Sequence, residues 1–117
     1  MDLGPSIENH AEWKTRFRAA MAQHQEMDPT IIAKVTYCEL GKWLHGAAKV
    51  KFGHLRSYFD CVASHEKFHR EAARVAEAIN AKNYVEAESM LEEGSHFTNA
   101  ANEVSAAIMK LKNEAGL

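Results

Sequence analysis

His65 and His69 stand four residues apart in a stretch of helix-favouring sequence. On a helix that spacing places both imidazoles on one face, one turn apart, within reach of a single ion. Zinc takes about four N, S or O donors at roughly 2.0–2.3 Å in a tetrahedron, so the pair supplies half a site. The plain alternative is two histidines on a helix surface or in a polar core. Cys61 lies one turn before His65 and extends the stripe. Cys61 and His69 would be about 12 Å apart along the axis, too far to share one ion. A single site therefore uses one adjacent pair plus donors from other helices. His10 is a candidate because it falls on the apolar stripe of the first helix, where an unpaired imidazole would suffer desolvation. Cys38 is another. It sits at the start of a short helix, where the helix N-terminus and a metal both favour the thiolate. A small buried residue explains Cys38 equally well.

The run His65-Glu66-Lys67-Phe68-His69 also matches the HExxH pattern of zinc metallopeptidases, with Glu66 as general base on a metal-bound water. That chemistry needs an open coordination position and a cleft wall to align a peptide. Neither follows from an all-helical chain of 117 residues. Glu66 reads better as an exposed carboxylate beside Lys67 and Arg70.

The elements that must carry these residues are helical. Two prolines, six glycines and an abundance of Ala, Glu, Lys, Met and Leu favour helices, and no period-2 stretch predicts a strand. A first helix runs from an N-cap at Ser6 to about Glu26, with Ile7, His10, Trp13, Phe17, Met21 and His24 on one face. Asp28-Pro29 starts the next element. The segment from Thr30 to Val35 fits a helical turn or a loop. A short helix after Tyr37 carries Cys38, Leu40, Trp43 and Leu44 and stops at Gly46. A long third helix spans about Val50 to Ala81, with Phe52, Leu55, Phe59, Val62, Phe68, Val75 and Ile79 as its apolar positions. After a turn at Asn80 to Asn83, a fourth helix covers Tyr84 to Lys112 through Ala87, Leu91, Phe97, Ala101, Val104, Ile108 and Leu111, with Gly94 interrupting it. The expected fold is all-α: an antiparallel up-down four-helix bundle with an additional short helix bearing the Cys motif. Residues 1–117 read as one domain.

Composition excludes several roles. Hydrophobic residues at 46% and charged residues at 26% suit a modest single core. Fourteen basic against sixteen acidic residues give a formal charge of -2, which argues against a nucleic-acid partner. No apolar run spans a bilayer, and Met1-Asp-Leu-Gly-Pro-Ser lacks a leader pattern, so the expectation is a cytoplasmic protein with no membrane partner. Two cysteines make a poor disulfide framework there.

Three pieces, in order, resemble the bacterial chemoreceptor zinc-binding (CZB) family. They are His10-x-x-Trp13, Cys38-Glu-Leu-Gly41-Lys-Trp43-Leu44 and His65-x-x-Phe68-His69. The resemblance implies zinc held by His10, Cys38, His65 and His69. It also implies a helical bundle that forms a homodimer and regulates bacterial signalling proteins or a fused output domain. Ala47 and Ala48 depart from the family, which often has further glycine there; its members are usually fused to a chemoreceptor signalling region or a diguanylate cyclase, neither of which lies within these 117 residues, so the chain reads as either a free-standing domain or an excised one. On this reading the chain is not an enzyme. Cys38, the one oxidisable ligand, is the expected moving part of a zinc- or redox-responsive switch with chemotaxis or cyclic-di-GMP type outputs. Trp13, Trp43 and Phe68 are expected to pack around the site. Phe17, Phe59 and Phe97 are expected in the core, and His24, His45, His54 and His96 at the surface. Two further alternatives stay open. One is a di-iron bundle of the hemerythrin kind, for which inward carboxylates are missing. The other is a metal-free helical interaction module.

Overall fold

A computed structural model describes residues 3–117. Met1 and Asp2, which open the expected domain and the stretch read for a leader, lie outside the described residues. The chain is all-helical, and no strand occurs among the described residues. In order it forms α1 (Gly4–Ala11), α2 (Trp13–Ala22), α3 (Pro29–Ala33), a 3-10 turn (Val35–Tyr37), α4 (Glu39–Leu44), α5 (Ala47–Phe52), α6 (Arg56–Asn80), α7 (Tyr84–Met90) and α8 (His96–Ala115).

Two of the long expected helices are cut at a point with a local cause, and the first only at Glu12, a single residue still in helical backbone (φ -73°, ψ -13°). The first is interrupted at Glu12 and ends at Ala22, and His24 beyond it has a left-handed φ of 53°. Ser6 is not its N-cap. Leu3 holds that place and Pro5 occupies the first turn, where its missing N–H costs nothing. The third expected helix is two helices, because Leu55 is extended between α5 and α6. The fourth breaks where Gly94 takes φ 85° and Ser95 caps α8 by accepting the Thr98 N–H at 3.2 Å. The Asp28-Pro29 start is present: the Asp28 carboxylate accepts the N–H groups of Thr30 and Ile31. The ambiguous Thr30 to Val35 segment divides into α3 and the start of the 3-10 turn.

Helix α6 is the central element; α8, α3, α2 and α7 all pack against it. Its inward stripe is Tyr58, Cys61, His65, Phe68, Ala72, Val75 and Ile79, all buried. The expected stripe used Phe59 and Val62 instead. Phe59 is 61% exposed, because adjacent helical residues point about 100° apart and Tyr58 already takes the inward position. Tyr58 is tied there by its hydroxyl, which donates to the Leu44 carbonyl at 2.8 Å. Phe17 and Phe97 are in the core as expected. At the far end of α6 the Asn80 amide brackets Met27, accepting its N–H at 2.8 Å and donating to its carbonyl at 2.6 Å. That clamp fixes the loop leading into α3. No helix among the described residues is long and apolar enough to cross a membrane.

Candidate metal centre

Three segments converge on the inner face of α6. His65 and His69 come from α6 itself, both buried. Buried His10 comes from α1, where Leu3, Ser6 and His10 form the inward face at helical spacing. Cys38, half-buried, is the extended N-cap residue that links the 3-10 turn to α4. One donor atom from each of these four residues lies within 4.8 Å of every other. Cys61, the competitor on the same α6 stripe, is buried but is not among the four.

The second nitrogen of each ring decides what faces the centre. His10 Nδ1–H donates to the Ser6 carbonyl at 2.6 Å, and His69 Nδ1–H donates to the Ile32 carbonyl at 2.7 Å. A carbonyl only accepts, so both Nε2 atoms are left unprotonated. His65 Nε2 lies 3.0 Å from His69 Nε2 and 3.2 Å from Cys38 Sγ, and the sulfur lies 3.6 Å from His69 Nε2. Zinc bonds of about 2.0–2.1 Å to N and 2.3 Å to S put tetrahedral neighbours about 3.3–3.6 Å apart. These three edges fall at or just inside that spacing, and the donor of His10 lies within 4.8 Å of each of the others. Three imidazoles and one sulfur are a donor set that a single cation satisfies at once. The residues present fit zinc.

Burial shapes their protonation. Desolvation lowers the pKa of His10 and His69, opposed in each by the carbonyl its Nδ1–H meets. It lowers His65 furthest, to about 2, with the neighbouring His69 and His10 adding to the effect. Desolvation pushes the Cys38 thiol up, opposed by backbone N–H groups of which Gly41 is first. Gly41 N–H donates to Cys38 Sγ at 3.3 Å. The Cys61 thiol, with burial alone acting, is pushed up to about 12.

Residues 10–76 match the chemoreceptor zinc-binding (CZB) domain model, more than half of the 117-residue chain. The chain belongs to the CZB family. The matched span begins at His10 and contains all four converging residues. Zinc is accordingly the cofactor of this CZB domain. No match emerged among curated proteins or among solved structures.

Some neighbours of the CZB site were legible beforehand and some were not. Phe68 meets the His10 ring edge-on at 4.9 Å and leans on Phe97, as expected of a packing partner. Trp13 and Trp43 make their ring contacts with Phe17 and Phe52 instead of with ligand rings. The expected surface histidines His24, His45, His54 and His96 are all exposed. The acceptors for the ring N–H groups, Ser6 and Ile32, are backbone carbonyls. Only the i−4 relation of Ser6 to His10 left any trace in the sequence. His65 departs from the expected pattern, since its buried Nδ1 meets no acceptor among the described residues.

Proposed function

We propose that this chain is a single sensory domain whose His10, Cys38, His65 and His69 hold one zinc ion, with Cys38 as the ligand that lets go. The observation that carries this reading is the convergence of the four donor atoms within 4.8 Å. Three neutral imidazoles and a thiolate complete a tetrahedron and leave no place for a reacting water, as in closed rather than catalytic sites. Bound zinc supplies charge that holds the thiolate deprotonated. Glu66, the base that a peptidase would need, is exposed and lines a surface groove with Ala33, Val35 and Arg70. That placement favours a regulatory role over hydrolysis.

Cys38 suits a switch because of what carries it. His65 and His69 ride on the 25-residue α6, while Cys38 caps the six-residue α4. A peroxide would oxidise the sulfur by two electrons, RS⁻ + H2O2 → RSOH + OH⁻. A sulfenic sulfur would be a weaker metal ligand and a weaker acceptor for the Gly41 N–H in the first turn of α4. Movement of α4 would be passed to a bundle of the antiparallel up-down kind, to a homodimer partner, and from there to signalling proteins or a fused output domain. Zinc-edge X-ray absorption of purified protein tests this. The expected result is one sulfur and three nitrogens, no sulfur in Cys38→Ser, and loss of the sulfur alone after peroxide. A sulfur shell that survives in Cys38→Ser sinks the proposal.

A further inference from the structure

Gly41 stands in the first turn of α4, where glycine is a poor helix residue relative to alanine. Its backbone does not demand glycine, because its φ is not in the left-handed region. What it lacks is room. A Cβ built on Gly41 would lie 1.6 Å from the Val35 carbonyl oxygen, 2.5 Å from the Val35 carbonyl carbon and 3.1 Å from His65 Cε1. Packed carbon atoms normally sit about 3.5–4.0 Å apart. Two of the three obstructing atoms are backbone, so no side-chain rotation relieves the contact. The same residue donates its N–H to Cys38 Sγ at 3.3 Å. Cys38 in turn lies between the two bodies that Gly41 allows to touch, the Val35–Tyr37 turn and the start of α4.

Building on the ligand set proposed above, we propose that Gly41 is the positioning residue that admits sulfur to the site. The three imidazoles are held by other means: His10 through Ser6, His69 through Ile32, and His65 by burial in α6, its ring edge having to yield only a few tenths of an ångström to a Cβ at 3.1 Å. The sulfur depends on α4 closing onto the Val35 carbonyl, which only a residue without a side chain permits. An alanine at 41 drives the first turn of α4 off that carbonyl and carries Sγ away from Nε2 atoms that now stand 3.2 Å and 3.6 Å from it. The product is a three-histidine site with its fourth position open to water or an added anion. Gly41 thus separates a closed sulfur-bearing site from an open nitrogen-only one.

Cobalt(II) substitution reads this directly, because thiolate ligation gives a near-ultraviolet charge-transfer band and imidazole ligation does not. Wild-type protein is expected to show the band. Gly41→Ala is expected to lose it, to keep the visible bands of a bound ion, and to bind cobalt on the order of 10–100-fold more weakly. Added to Cys38→Ser, Gly41→Ala is expected to change affinity by less than about twofold, since the residue acts through the sulfur. A full-intensity band in Gly41→Ala overturns the inference. So does an equal further loss of affinity in the Cys38→Ser background, or a metal-free Gly41→Ala that has lost its helical circular dichroism. Absence of the band from the wild type would instead remove the ligand assignment on which the inference stands.

Discussion

Protons and metal compete for Cys38. Burial raises the thiol pKa above its ordinary value, and the same burial lowers the imidazoles of His10, His65 and His69. At neutral pH the metal-free site therefore holds three neutral rings and one protonated thiol. A metal can bind the sulfur only by expelling that proton. Apparent zinc affinity should rise about tenfold per pH unit from pH 7 until the raised thiol pKa is reached. In Cys38→Ser the slope should vanish, because the lowered imidazoles have no proton to give. Competition against a chromophoric chelator at several pH values measures both slopes. At this scale residue type and spacing carried much of the message. The i,i+4 pair His65 and His69 was readable from helical geometry alone. His10 and Cys38 needed the family resemblance, and the carbonyls of Ser6 and Ile32 had no side-chain signature to read.

Helix α6 shows how one residue of phase separates core from surface. Phe68 is fully buried between His10 and Phe97, whereas Phe59, on the same helix, is 61% exposed. Phe68→Ala should cost about 3–5 kcal/mol through lost burial and the cavity it leaves. Phe59→Ala should stay within about 0.5 kcal/mol. Urea unfolding of the two variants compares them, and equal losses would contradict the packing described here. Hydrophobic spacing located α6 and α8 because long amphipathic periods survive small errors of phase. It missed the break at Glu12, where no proline or glycine intervenes, and the one at Leu55, where Gly53 at the end of α5 was a stop signal left unread. It noticed Gly94 but not that one helix already ends at Met90 and that Ser95, after the left-handed Gly94, caps the next.

Three neutral histidines in the interior have a consequence for the whole molecule. Each folded-state pKa lies below the unfolded value near 6.5, so the unfolded chain binds more protons at low pH and stability is lost as pH falls. For His65 that window runs from about 6.5 down to about 2. Each of these histidines should remove about 1.4 kcal/mol per pH unit inside its window. Chelator-treated protein unfolded in urea at pH 7 and pH 5 should show a large drop in stability, and a His65→Phe variant a smaller one. By itself the sequence determined the helical class, the paired histidines of α6, the cap at Asp28 and, through motif order, the family. Those features are local or sit at fixed spacings, so chain chemistry alone encodes them. Helical spacing left Cys61 open and the family resemblance implied Cys38; the tertiary structure sets Cys38 beside His65, and it alone decided that Ser6 and Ile32 orient the rings and that Gly41 must lack a side chain. Each of these depends on segments 27 or more residues apart, or on backbone atoms that every residue shares, and neither leaves a pattern along the chain.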